Sequence, residues 1–188
     1  MNFKLCELRT WMIDKDCGVY DMLQELPAVD EYDQHNVFYG MSKEQVKKEI
    51  NKMMRYAYGF DNDQDHPKCE NFILFVDDRP VVIGGLMLEM TDYWKKHRGH
   101  IWYKTRPSER KKGYCTQFKK MLCDRAKEFG FYEVISQCDA ENYGSNKVLL
   151  NNGFETYINP LCPDWNNTNF YRKTLISAKS NQGEKVNA

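Results

Sequence analysis

A chain of 188 residues with 27 Lys+Arg against 27 Asp+Glu carries no formal net charge. That balance gives no case for nucleic acid or a membrane surface as a partner of the whole chain, so any anion site has to be built locally. The length suits one domain with a full hydrophobic core, and no apolar run is long enough to span a bilayer. Seven cysteines, at 6, 17, 69, 115, 123, 138 and 162, form no C-x-x-C pair and read as reduced thiols rather than a disulfide framework. The opening residues 1–6 hold no signal-peptide core, so a cytoplasmic location is expected.

Taken in order, residues 2–9 carry Phe3, Leu5 and Leu8 in a strand-like opening. Apolar residues at 19, 22, 23 and 26 have helical spacing, and Pro27 stops that helix. Residues 28–41 read as a loop. Ser42 with Gln45 is a capping-box pair, ahead of a stripe at Val46, Ile50, Met53, Met54 and Ala57 that Gly59 ends. The aromatic and apolar group Met53, Met54, Tyr56, Tyr58 and Phe60 suits core packing. Residues 61–65 resemble the start of a calcium loop, but His66 and Phe72 stand where glycine and glutamate are required. His66 and Cys69 have nothing to complete a four-ligand metal set, so no metal site is expected.

The centre reads as an antiparallel meander. Residues 71–76 form a strand, 77–80 a turn, 81–90 a second strand and 100–105 a third, with 91–98 as a polar loop. Gly84 and Gly85 predict a bulge or a close backbone approach. Next comes Arg106-Pro-Ser-Glu-Arg-Lys-Lys-Gly-Tyr-Cys115, a basic loop that leads into a helix. Tyr114, Phe118, Met121, Leu122, Ala126 and Phe129 mark one face of that helix, and Gly130 caps its end. N–H groups at a helix N-terminus, beside a glycine, make an anion site. Arg110, Lys111 and Lys112 are three like charges at a positive helix end, an arrangement that costs energy unless an anion is expected there.

A strand at 132–138 follows, then Asn142 as N-cap of a helix at 143–152, Gly153, a strand at 154–158, a loop at 159–168 and a last strand at 169–175. One domain over 1–176 and a disordered tail over 177–188 are expected, because the tail has no apolar periodicity.

The run from Arg110 fits R-x-x-G-x-[G/A], with Cys115 in the last small-residue position. The segment 99–115 resembles G-H-I-x-Y-x-x-R-P-S-E-R-x-K-G-Y-A of a branch of predicted bacterial acetyltransferases in the GNAT N-acyltransferase superfamily. Cys138-Asp-Ala-Glu-Asn142, Ser145 and Asn152-Gly153 are similar to that branch's second motif. The motifs cover 99–154 and the strand order extends the likeness over roughly 70–175.

The resemblance implies an α/β (α+β) fold, with a twisted, mostly antiparallel sheet that splays between its two central strands and helices flanking it. It implies acetyl-CoA as co-substrate and an unidentified amine as acceptor, and it is compatible with a homodimer. The pantetheine arm would pair with Tyr103, Lys104 and Thr105. The pyrophosphate would rest on Arg110, Lys111, Lys112, Gly113, Tyr114 and Cys115, with Asn142 and Ser145 beside the thioester end. Direct attack by the amine in a ternary complex needs a base, for which Glu89 and His100 are the candidates because they flank the loop between two cleft strands. Cys115 and Cys138 have no His partner that would make either an acyl-enzyme nucleophile. One position departs from the family. The tyrosine that many members carry four residues before the glycine of the Gly-Phe pair is Leu149 here. An acyl-CoA-binding regulatory module without turnover is therefore the alternative.

Overall fold

A computed structural model describes residues 1–15, 17–61, 67–165 and 167–175. The expected tail at 177–188 and most of the calcium-like segment lie outside them. The described elements run β1 (Phe3–Glu7), α1 (Trp11–Asp14), α2 (Val19–Glu25), α3 (Lys43–Ala57), β2 (Cys69–Val76), β3 (Arg79–Met87), α4 (Asp92–His97) and β4 (Ile101–Thr105). After a 3-10 turn at Pro107–Glu109 come α5 (Tyr114–Glu128), β5 (Glu133–Asp139), α6 (Tyr143–Asn151), β6 (Glu155–Thr156) and β7 (Thr168–Thr174).

Strands β1-β2-β3-β4 form an antiparallel sheet in chain order. The β2–β3 hairpin turns on Asp77 and Asp78, both at positive φ (45° and 64°), and Val76 pairs with Arg79. Two left-handed residues match the strand twist, and aspartate tolerates that conformation better than most side chains. Alternation along β2 divides the core. Phe72, Leu74 and Val76 belong to a cluster with Phe118, Leu122 and Ala126 of α5, while Ile73 packs with Met12, Met22, Val46 and Ile50 of α1–α3. Helices thus cover both faces of the sheet, and β3 is buried from Val81 to Met87. Each large apolar side chain so buried contributes about 1.5–3 kcal/mol.

The Ser42–Gln45 capping box forms, with Gln45 N–H donating to Ser42 Oγ at 3.3 Å and Ser42 N–H to Gln45 Oε1 at 2.8 Å. At the end of α5, Gly130 is left-handed (φ 79°). Its N–H bonds Lys127 O, and Phe131 N–H bonds Ala126 O, which together make a Schellman closure. Phe129 falls in that closure. It leaves the apolar face and lies exposed beneath the Arg125 guanidinium.

Several expectations are corrected. The segment 91–98 is not a loop but contains helix α4, which Thr91 Oγ1 caps by accepting the Trp94 N–H. Asp92 at its start and Lys95 and Lys96 at its end complement the helix dipole. No residue of α4 is buried, so it has no apolar stripe to show in the sequence. The second strand ends at Met87, not 90. The bulge lies between Leu74 and Phe75, whereas Gly84 and Gly85 are places of close approach. A Cβ on Gly85 would sit 2.7 Å from Cys69 Sγ, and one on Gly84 would collide with Trp102 O and the Phe118 ring.

Strands β5-β7-β6 form a second antiparallel sheet. It meets the first at the Gly99–Ser136 bridge, where His100 N–H also donates to Ile135 O at 2.9 Å. Among the described residues no ladder joins β4 to β5 beyond that bridge, so the central strands part. Gly99 permits the meeting. It has φ 89°, and a Cβ there would lie 2.8 Å from Ile135 O and from Ser136 Cα.

Candidate active site

Where β4 and β5 separate, a cleft of about 790 Å³ opens. Strand β4 supplies Tyr103, Lys104 and Thr105 to its wall, and the basic loop supplies Arg110, Lys111 and Gly113. Tyr114 and Cys115 of α5, Asn142 ahead of α6 and Ser145 on it complete the side that the sequence singles out, and Thr116 adjoins them. Ten of the eleven expected cofactor contacts are therefore together; the exception is Lys112, whose Nζ donates to Glu109 Oε2 at 2.7 Å.

The loop is held from behind. Glu25, at the end of α2, accepts the Arg106 Nε–H and, at 2.7 Å, the Ser108 N–H. Burial alone would raise its pKa, but the bonds from Ser108 and Arg106 outweigh burial and leave it below the ordinary glutamate value. Glu109, 6% exposed, is paired with both Lys112 and Arg79 at 2.7 Å. The Lys112 hydrogen bond is the largest cause of its lowered pKa. Lys111 takes φ 62° and Gly113 φ 81°. Gly113, as N-cap of α5, offers no capping side chain, whereas Ser42, Thr91 and Asn142 cap α3, α4 and α6. The positive end of a 15-residue helix thus opens on the cleft beside Arg110 and Lys111.

On the opposite wall, Asn142 Oδ1 caps α6 by accepting the Ser145 N–H at 2.9 Å. Ser145 Oγ and the Tyr103 hydroxyl share a hydrogen bond of 2.8 Å, and burial is the largest cause of the raised Tyr103 pKa. Asn146 pins the turn before the helix. Its Nδ2 donates to the carbonyls of Asp139 and Asn142 at 3.0 and 2.8 Å. Its Oδ1 accepts from Cys138 Sγ, Asn169 Nδ2 and the Tyr171 hydroxyl. Beneath Tyr103, Lys119 is 1% exposed. Its Nζ donates to Ser136 Oγ at 2.7 Å and lies 5.4 Å from the Tyr103 ring centre, and burial pushes its pKa down to about 8.

The two candidate bases stand elsewhere. Glu89 is an exposed carboxylate 2.7 Å from Lys68 Nζ. His100 accepts the Ile135 N–H on Nδ1 at 3.0 Å, and burial lowers its pKa to about 4. Neither lines the cleft. Burial pushes the thiols of Cys115 and Cys138 up to about 11, so both stay protonated at neutral pH. Tyr143 is 79% exposed, Tyr157 packs on Phe170, and Phe60 and Tyr58 are exposed. Leu149 is sealed in the core at 1% exposure.

The facing wall carries no readable motif in the sequence. Leu26, Pro27, Asp30, Glu31 and Tyr32 come from the segment after α2, which reads only as a loop, and Lys147 comes from α6. Lys104 Nζ holds that segment by donating to Gln34 O at 2.7 Å. The proline and acidic residues at 27–32 were visible, but nothing local ties them to a strand more than seventy positions away.

A family model described as an acetyltransferase (GNAT) domain matches residues 7–155. A search of the curated proteins found no match. Solved structures share the architecture. A ribosomal L7/L12 alpha-N-protein acetyltransferase in complex with coenzyme A superposes with TM-score 0.64 at 14% identity, over 93% of this chain and 94% of that one. A ribosomal-protein-S5-alanine acetyltransferase from Vibrio fischeri gives 0.64 at 14% identity, over 93% of each. The microcin C7 self-immunity acetyltransferase, bound to acetyl-CoA and AMP, gives 0.62 at 13%, over 92% of each. At these identities the likeness is one of fold.

Proposed function

The chain belongs to the GNAT acetyltransferase family, whose N-acyltransferases use acetyl-CoA as co-substrate, and on that premise we propose that it acetylates a primary amine of a small molecule or peptide by direct attack in a ternary complex. The observation that carries this reading is the uncapped N-terminus of α5, with Gly113 and Lys111 left-handed, at the mouth of a cleft that runs into the β4–β5 splay. A Cβ on Gly113 would meet nothing within 4 Å, so a pyrophosphate has room to reach the backbone. Arg110 and Lys111 would balance its charge, and Lys112 would support the loop through Glu109. The unpaired edge of β4 at Tyr103–Thr105 would take the pantetheine amides, and a β4 N–H would polarise the thioester carbonyl. Asn142 and Ser145 would flank the reacting end.

A base must reach the amine directly or through one water. The cleft carboxylates Asp30 and Glu31 meet that condition better than Glu89 or His100. The neighbours named for ribosomal-protein and aminoglycoside acetylation make peptide amines and small polyamines the acceptors to try first. Leu149, buried and without a proton, favours one second reading, a binding module without turnover. Calorimetric titration with acetyl-CoA tests the site, and thiol release across a panel of amines tests turnover. A chain that does not bind acetyl-CoA defeats both readings; one that binds and releases no thiol is the module.

A further inference from the structure

The thiolate that leaves in acyl transfer is best discharged by a proton donor within the cleft, and α6 presents only hydrocarbon at Leu149. Three of the cleft's other hydroxyl side chains are engaged or placed elsewhere. Thr105 Oγ1 is bonded to Cys115 Sγ, close to the basic loop. Tyr114 packs edge-on against Phe3. Tyr32 lies on the facing wall. Tyr103 precedes Thr105 by two residues on β4, about 7 Å further from the basic loop and nearer the Gly99–Ser136 bridge. Its hydroxyl meets α6 at Ser145, one helical turn ahead of Leu149.

We infer that Tyr103, reaching in from β4, is the group that protonates the departing CoA sulfur, with Ser145 holding its hydroxyl in place. This rests on the acetyltransferase reading above. With Ser145 Oγ–H donating to the phenol oxygen, the phenol proton is left to point into the cleft. The amine nitrogen bonds to the carbonyl carbon, the C–S bond breaks, and its electron pair stays on sulfur, which takes the phenol proton. The phenolate regains a proton from the nitrogen, relayed through Ser145 or cleft water, so no other reactant is consumed. Burial disfavours the phenolate, so the proton passes to sulfur as the C–S bond breaks rather than ahead of it, and the hydrogen bond from Ser145 is the contact that favours the transient negative charge.

The test uses the full chain and Tyr103→Phe, which removes one oxygen and keeps the ring. Calorimetry compares CoA with desulfo-CoA. The wild type should prefer CoA by about 3- to 10-fold, the worth of one hydrogen bond, and Tyr103→Phe should show no preference. Thiol release, followed with whichever amine the panel identifies or with water as acceptor, should fall about 10- to 100-fold in kcat. The KM for acetyl-CoA should change less than about 3-fold, since most of the cofactor's contacts lie elsewhere. A retained preference for sulfur in Tyr103→Phe, or a kcat within about twofold of wild type, overturns the assignment. Failure of the wild type to bind acetyl-CoA overturns instead the function on which it rests.

Discussion

Glu25 Oε1 accepts the backbone N–H of Ser108 at 2.7 Å, so the last turn of α2 is fastened to the start of the cofactor loop 83 positions away. The same carboxylate takes Arg106. Glu25→Gln keeps the shape and removes the charge. We expect a loss of about 1 kcal/mol in stability, small because the carboxylate is partly solvated, and about fivefold weaker acetyl-CoA binding as the loop loosens. The folded pKa is depressed, so the stabilisation is present above the unfolded glutamate value, near 4.3, and fades as pH falls below it. Urea midpoints of the two proteins should therefore differ at pH 7 and converge near pH 3. A constant difference would mean that the charge is irrelevant.

Gly113 separates conformation from charge. Gly113→Ala meets no atom within 4 Å and suffers only from φ 81°, which costs about 1 kcal/mol. Gly113→Asp adds a carboxylate where the pyrophosphate would lie. At this partly screened site the repulsion is worth about 2–3 kcal/mol, or about 30- to 150-fold in affinity. Calorimetry should find alanine affecting acetyl-CoA binding a few-fold and aspartate abolishing most of it. Equal effects would show that the loop does not carry the phosphates.

What the sequence made legible was whatever is encoded locally. The Ser42–Gln45 box, the apolar face of α5 and the Asn142 cap are local signals, and each stands where its spacing put it, apart from Phe129 at the end of α5. Helix α4 was invisible because none of its side chains is buried, which leaves caps and charges but no period. The cleft was half legible. Its basic loop has a pattern, whereas Asp30, Glu31 and Tyr32 reach it through the tether from Lys104 to Gln34. Lys112 shows the limit from the other side: its charge looks like part of an anion site until Glu109, three residues earlier, is found holding it.

The Gly99–Ser136 bridge sets the angle at which the cleft opens, and it tolerates no side chain. A methyl at 99 would lie 2.8 Å from Ile135 O and Ser136 Cα, which are backbone and cannot swing aside. With the left-handed φ added, Gly99→Ala should cost about 2–4 kcal/mol. That corresponds to about 5–15 °C in Tm for a chain of this size. Because the strain acts where β4 and β5 meet, acetyl-CoA affinity should fall too. An unchanged Tm would show that the two sheets are not held at this point.

Lys119 is a buried ammonium whose pKa burial lowers to about 8, against about 10.4 in an unfolded chain. Between those values the unfolded chain binds the proton and the folded protein does not, so raising the pH favours the fold. Below pH 8 both states are charged and the folded protein bears the full penalty of a cation taken out of water. Lys119→Met has no such titration, though it leaves Ser136 Oγ without its donor. Titrating groups remote from Lys119 cancel in the difference; Cys115, Cys123 and Cys138, whose pKa the Lys119 charge lowers, leave a smaller remainder. Stability measured by urea unfolding should thus rise in the wild type relative to Lys119→Met by on the order of 3 kcal/mol between pH 7 and pH 10.5. A difference that stays flat over that range would mean that Lys119 keeps its ordinary pKa, and with it enough water to solvate the charge.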